Sequence, residues 1–318
     1  MSAAVRLRPG FDRMVPRNGY AWWYLDAFSD DGEHGLTLIA FIGSVFSPYY
    51  AWARRHGPVD PLEHCAFNVA LYGKAHNLWA MTERSRSAVR RSQSSLMIGP
   101  SSIENDAGSL SIQVNESTFP RPGRIAGRVR IEPEVSIDDS YALDGSGKHV
   151  WQPLAPRARV EVAFDRPAIR WSGTGYVDTN AGDEPIEDAF SDWQWSRAHL
   201  DDGSTAVTYD VARRQGSALR LALKFDADGS IRSFEPPPAV EVGRTGWRLD
   251  RSAHSERRDR TTVVRTLEDA PFYARSILGT QLLGARALVM HERLALDRFR
   301  SLWVQCLLPF RMPRVRGA

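Results

Sequence analysis

Residues 149–180 read HVWQPLAPRARVEVAFDRPAIRWSGTGYVDTN, and their spacing decides how the chain is built. His149 and Trp151 stand two residues apart on one segment, Tyr176 and Asp178 on another. In extended chain, side chains at i and i+2 leave the same face. Two such strands therefore project an imidazole, an indole, a phenol and a carboxyl into a single lumen. An acid among aromatic rings is what protonating an alkene and sheltering the resulting cation requires.

Short β-rich segments separated by turn chemistry run outward from this stretch in both directions. Upstream they fall at 20–28, 36–44, 64–72, 78–83, 95–98, 110–114 and 125–131. The turns DDGEHG, YGKAHN and NDAGS supply Gly, Asn or Asp suited to positive φ. Downstream, strands are expected at 160–164, 168–177, 193–199, 206–211, 219–225, 247–250 and 261–267, with FDADGS at 225–230 as a hairpin tip. The EPPP run at 235–238 cannot lie inside a central strand and marks a loop or an edge. Repeated strand-turn spacing argues for an antiparallel barrel or sandwich, in two β-rich halves that meet near residues 145–155. The segment 273–308, which contains ILGTQLLGARALVMHERLALDRF, is compatible with a helix or with two strands.

Composition narrows the function. At 318 residues the chain has ample core for two ordinary domains or one large one. Its 42% hydrophobic and 25% charged content is that of a folded soluble protein. The 41 basic residues nearly balance the 38 acidic ones, and no basic stripe suits a phosphate backbone, so nucleic acid is not an expected partner. Arg311, Arg314 and Arg316 follow an apolar stretch, which suits attraction to anionic lipid. Ten Trp suggest walls around a bulky apolar ligand, although most Trp are ordinary core residues. Two isolated cysteines, Cys65 and Cys306, make neither a disulfide framework nor a zinc site. MSAAVRLRPGFDR at residues 1–13 lacks the apolar core of a signal peptide, and no run is long enough to span a bilayer. The expected location is cytoplasmic, with a peripheral position on the cytoplasmic membrane face.

Common catalytic motifs fail on inspection. His291-Glu292 begins like a zinc-protease helix, but Ala295 occupies the second ligand position. GSGK at 145–148 lacks the upstream glycine of a phosphate loop, and His149 replaces its Ser or Thr. There is no nucleophile elbow and no dinucleotide fingerprint. His64 and Cys65 are adjacent in an expected strand and point to opposite faces. No metal, nucleotide or flavin is expected. What remains is the 149–178 constellation with aromatic blocks AWWYLDAF at 21–28, FSPYYAW at 46–52 and FSDWQW at 190–195. By pattern alone, an Asp beside a Tyr in a barrel is more often a structural pair than a catalyst, and Asp26 and Asp192 compete with Asp178 by the same logic.

At these residues the chain resembles the carotenoid 1,2-hydratases, or hydroxyneurosporene synthases. The resemblance runs through GYAWWYLDAFSDDGEHGLTLIAFIGSVFSPYYAWARR, DPLEHCAFNVALYG, WAMTERS, HVWQPLAPRARVEV, GYVDTNAGDEPIEDAF and WQWSRA, densely over residues 19–200. It implies an all-β, mainly antiparallel fold of two lipocalin-like β-barrel domains with little helix. These are expected at 1–150 and 151–318, with the pocket at or near their junction. It also implies a hydro-lyase that needs no cofactor and adds water across the terminal C1=C2 bond of an acyclic carotenoid such as neurosporene or lycopene. The family's acid matches Asp178, and its supporting residues match His149, Trp151 and Tyr176.

The chemistry is sound on physical grounds. A carboxyl in an apolar pocket has its charged form destabilised and can act as a general acid. Protonation at C2 gives a tertiary cation at C1, which aromatic faces stabilise. His149 orients or activates water, or reprotonates the acid; the sequence leaves these roles open. Two other readings use the same scaffold: a non-catalytic isoprenoid carrier, and a cyclase or isomerase.

Overall fold

In the computed structural model, residues 7–74 and 77–315 are described. Arg316, the first six residues and two residues of the YGKAHN turn lie outside them. The chain forms two compact units, one of residues 1–142, 146–185 and 306–318, the other of residues 143–145 and 186–305.

The first unit contains strands β1 (Tyr20–Ser29), β2 (Gly35–Ile42), β3 (Cys65–Tyr72), β4 (Leu78–Arg84), β5 (Val89–Arg91), β6 (Ser95–Ile98), β7 (Ser101–Asp106), β8 (Ser109–Thr118), β9 (Gly123–Val135), β10 (Tyr141–Ala142), β11 (His149–Arg166) and β12 (Ala168–Gly182). They form one sheet in the order β4-β3-β2-β1-β12-β11-β9-β8-β7-β6-β5, with β10 beside β11. Neighbouring strands are antiparallel. The sheet curls around one apolar cluster that takes Leu25, Leu38, Phe67, Ile112, Ile131, Val160 and Val177 from seven of its strands. The expected boundary at 145–155 falls inside this sheet. β12 pairs with β1 over its full inner length and β11 pairs with β9, so the 149–182 hairpin belongs to the first unit.

The strands differ in how much they bury. β8 alternates buried and open residues, the signature of one face on the core and one in water. Every residue of β2 and β3 is buried. Two bulges in β11, between Gln152 and Ala155 and between Ala155 and Ala158, fall at Pro153 and Pro156. A proline cannot donate to the ladder and is tolerated at a bulge. Each bulge advances the register by one residue, so Trp151 pairs with Asn180 but Ala155 with Val177. That re-aims the strand from one face to the other.

The second unit contains β13 (Phe190–His199), β14 (Thr205–Arg213), β15 (Leu219–Phe225), β16 (Ile231–Ser233), β17 (Ala239–Arg244), β18 (Asp250–His254), β19 (Thr262–Asp269), β20 (Tyr273–Leu282) and β21 (Ala285–Ala295). Seven of them form a sheet ordered β16-β15-β14-β13-β21-β20-β19, and β17 pairs with β18 apart from it. The ambiguous segment resolves into the β20–β21 hairpin, turned by Leu283 and Gly284 at φ 52° and 78°. Two successive left-handed residues make the tight turn that joins twisted strands. The strand expected at 247–250 is instead a turn with Arg248 at φ 59°, and β18 begins at Asp250. Helix is confined to short pieces such as α1 (Pro48–Arg54), capped by Ser47 Oγ, which accepts from Tyr50 N. A final two-residue strand, β22 (Arg314–Val315), lies parallel to β4 in the first unit.

Candidate active site

The first-unit strands β1, β2, β11 and β12 build the site from residues of one parity. On β1 the odd residues Ala21, Trp23, Leu25 and Ala27 enter the apolar cluster. The even residues Tyr20, Trp22, Tyr24 and Asp26 therefore take the other face. The register continues this face across the sheet, since Asp26 faces Tyr176, Tyr24 faces Asp178, Trp22 faces Asn180 and Tyr20 faces Gly182. On the far side of β12, His149 is also opposite Gly182, and Trp151 opposite Asn180. Apart from half-buried Trp22, these side chains are buried.

Asp178 stands at the centre and is 4% exposed. Its Oδ2 accepts from the Trp151 indole Nε1 at 2.9 Å and from the Tyr176 hydroxyl at 3.0 Å. Both contacts follow from the register. Trp151 reaches diagonally across one strand, and Tyr176 lies two residues back on the same face. The Tyr24 hydroxyl donates to Asp26 Oδ2 at 3.1 Å, and the Tyr24 and Tyr176 rings meet edge to face at 6.4 Å. Tyr20 stacks on Trp22 at 5.0 Å, and Trp22 lies 6.2 Å from Phe41. The face thus joins a carboxyl to a continuous aromatic wall.

His149 belongs to the same face at its edge. Its Nδ1 is hydrogen-bonded to the Tyr20 hydroxyl at 2.9 Å, and its Nε2 lies 3.7 Å from Glu184 Oε1. Tyr20 and His149 are on strands separated by β12 and meet over Gly182. A Cβ there would stand 2.3 Å from the Tyr20 ring and 2.7 Å from His149 Nδ1, so only a bare backbone lets the two meet.

The structure brings Trp151, Tyr176 and Asp178 into direct contact and sets His149 beside Tyr20. The shared face corrects one expectation. It is turned away from the apolar interior of the curled sheet, which Trp23, Leu38, Ile112, Leu154 and Val177 fill instead. Parity shows which side chains share a face and leaves open which face is the core. Of the competing carboxyls, Asp192 is in the second unit, where the Arg293 fork holds its Oδ2 at 3.0 and 2.9 Å. Burial lifts that carboxyl above its ordinary value against the pull of Arg293. It is an ion-pair anchor. Asp26 remains on the Asp178 face. The sequence reading passed over Tyr20 and Tyr24; the repeated Tyr-x-Asp spacing at 24–26 and 176–178 is the signal that marks the second.

The dismissed motifs have structural explanations. His64 Nδ1 is bonded to Glu83 Oε1 at 2.8 Å, and burial pushes the Cys65 thiol up. His291 lies opposite Ser196 and is bonded to it at 2.9 Å; burial, then the nearby Arg293 and Arg251, lowers it to about 3. Among the described residues, no three or more His, Cys, Asp or Glu side chains are grouped to hold a metal. No helix among them is long and apolar enough to cross a membrane.

Known proteins match this arrangement at two levels. In overall structure the chain is similar to a candidate AttH of Nitrosomonas europaea (TM-score 0.59, 15% identity, covering 93% of this chain and 98% of that one). It is also similar to kievitone hydratase from Nectria haematococca (TM-score 0.53, 12% identity, 93% and 96%). At these identities the likeness is one of fold, the lipocalin-like antiparallel architecture. In sequence it is similar to the acyclic carotenoid 1,2-hydratase of Thiocapsa roseopersicina, 54% identical over 97% of this chain and 76% of that protein. The enzymes of the same name from Rubrivivax gelatinosus and Cereibacter sphaeroides are 49% and 39% identical, over 96% and 88% of this chain and 76% and 99% of theirs. The profile of the carotenoid hydratase CrtC matches residues 38–318, which include His149, Trp151, Tyr176 and Asp178. The chain belongs to the carotenoid hydratase family CrtC and is a hydro-lyase.

Proposed function

We propose that this protein hydrates the terminal C1=C2 bond of an acyclic carotenoid such as neurosporene or lycopene, without a cofactor, to a 1-hydroxy carotenoid. The observation that carries the reading is the buried Asp178, whose Oδ2 accepts from two donors within an aromatic wall. The Trp151 indole N–H can only donate. With Oδ2 engaged in this way, the acid form carries its proton on Oδ1. That proton moves to C2, the π electrons form the C2–H bond, and a tertiary cation remains at C1. The faces of Trp151, Tyr176 and Tyr24 stabilise it, at about 0.5–2 kcal/mol for each well-placed ring. Water adds to C1 and loses a proton, giving the tertiary alcohol. His149, held by Tyr20, positions the aromatic end of the site.

Incubation of the purified chain with neurosporene or lycopene in isotopically labelled water tests this. A product heavier by one labelled water supports hydration. Unchanged carotene recovered with the protein favours a carrier, and a product of unchanged mass favours a cyclase or isomerase.

The substrate is a membrane solute, so a peripheral position on an anionic bilayer surface is part of the proposal. Residues 273–308, the stretch before the Arg311, Arg314 and Arg316 cluster, are mostly sheet, since residues 273–295 form β20 and β21. Within the second unit, Trp247 and Trp303 stack at 6.2 Å and are 44% and 48% exposed, beside Leu302 at 64%. Arg298 donates to the carbonyls of Trp247 and Arg248, which keeps a guanidinium next to this patch. An aromatic patch with adjacent cations suits a lipid interface. Binding to anionic liposomes that weakens with salt supports the contact, and none at low salt removes it.

A further inference from the structure

The acid step is assigned to Asp178, but capture of the cation also needs a group to take a proton from water. The neighbouring strand provides one. β1 carries Tyr24 and Asp26, β12 carries Tyr176 and Asp178, and the two Tyr-x-Asp triplets run antiparallel with each Tyr opposite the other strand's Asp. Each tyrosine donates to its own strand's carboxyl, Tyr24 to Asp26 at 3.1 Å and Tyr176 to Asp178 at 3.0 Å. Asp26 is fully buried. In this register Asp26 and Asp178 are diagonal neighbours on one face, their Cα atoms about 7–8 Å apart. Two carboxyls on one face, neither directly opposite the other, can act on a substrate and a water between them, as the pair does in inverting glycosidases.

A third group points to the same place. Thr37 of β2 is opposite Asp26, so its side chain shares the face. It is fully buried, and its Oγ1 has no hydrogen-bond partner among the described residues. A buried hydroxyl without a partner is costly, and a hydroxyl beside a carboxylate offers a water both a donor and an acceptor.

We propose that Asp26 is the general base of the hydration, receiving the proton of a water that Thr37 Oγ1 helps to hold. This rests on the hydratase reading and deepens it. The water oxygen forms the C1–O bond with its lone pair, and its proton passes to the Asp26 carboxylate. Asp178, having given its proton to C2, is left as carboxylate. The sum is the addition of one water, with one proton moved from Asp178 to Asp26. Exchange with solvent water returns that proton before the next turnover.

The test separates protonation from capture. The purified protein is incubated with lycopene in deuterium oxide, and both hydroxylated product and deuterium at C2 of recovered lycopene are measured. Deuterium enters unreacted lycopene when the cation forms and returns its C2 proton. Asp26→Asn is expected to lower hydration about a hundredfold while deuterium entry continues, so the ratio of exchange to hydration rises. Thr37→Val, which removes no charge, is expected to move the ratio the same way by about tenfold, the order of one hydrogen bond. Asp26→Glu is expected to recover part of the hydration. Asp26→Asn hydrating within about threefold of wild type, losing exchange and hydration together, or failing to fold while Thr37→Val leaves the ratio unchanged would each overturn the assignment. If wild-type protein forms no hydroxylated product, the hydratase reading falls first; if it does and the ratio stays constant, only the role of Asp26 falls.

Discussion

Strands β8 and β9 and strands β1, β2 and β12 belong to one curled sheet and differ in what their second face does. In β8 the residues between the core positions are Ser, Gln and Asn, and Gln113 accepts from Arg128 of β9 at the surface. In β1 and β12 the corresponding positions are Tyr20, Trp22, Tyr24, Asp26, Tyr176 and Asp178, most of them as buried as the core. A second buried face is expensive when it contains carboxyls and hydroxyls, because each must be bonded or bear the loss of water. The sequence meets that demand with Tyr–Asp and Trp–Asp bonds in place of aliphatic side chains. One face of β12 holds the unit together, and the other has a composition that stability alone does not call for.

That contrast can be broken from either side. The largest stability effect belongs on the core face. Phe67→Ala is expected to cost about 3–5 kcal/mol, read as a fall in denaturation midpoint, with turnover per folded molecule kept. Next is Gly182→Ala, where the new methyl would meet Tyr20 and His149 within 2.7 Å. It is expected to cost about 1–3 kcal/mol and to lower turnover as well, because the Tyr20–His149 bond lies on the site face. Tyr176→Phe and Trp151→Phe on that face should cost less stability and lower turnover about tenfold to a hundredfold, the value of one hydrogen bond to a charged group. Should either variant instead lose stability and keep its turnover, the two faces would not be functionally distinct.

The smallest effect belongs to the second unit. Burial, then the nearby arginines, lowers His291 to about 3, below the 6.5 of the free side chain. The folded state thus keeps it neutral while the unfolded chain protonates. Its contribution to stability is full above pH 6.5 and is lost as pH falls from 6.5 toward about 3. His291→Gln should make the melting temperature fall less steeply between those limits. An unchanged slope would place the acid sensitivity elsewhere.

Much of this is legible in the sequence. Alternating residues bounded by DDGEHG, NDAGS and FDADGS mark strands, because turns that need left-handed backbone announce themselves. The i, i+2 spacing of His149 with Trp151 and of Tyr176 with Asp178 was enough to expect a common face. Pairing was hidden. Tyr24 and Asp26 stand about 150 residues before their cross-strand partners, and register is set by the folded sheet. For the same reason, the unit boundary was expected on the wrong side of the 149–182 hairpin, whose partners are β1 and β9. The β20–β21 segment stayed ambiguous because its apolar residues fit either period, and a Leu at φ 52° gives no compositional warning of a turn.

The central claim is that Asp178 delivers the proton, and one variant tests it most directly. Asp178→Asn keeps the shape of the side chain and its ability to accept from Trp151 and Tyr176, and removes only the acid. Turnover of an acyclic carotene and melting temperature should be measured on the same sample. The expected result is a melting temperature close to wild type with hydration and deuterium exchange at C2 both reduced at least about a hundredfold. A folded Asp178→Asn protein that still hydrates its substrate at near the wild-type rate would contradict the account.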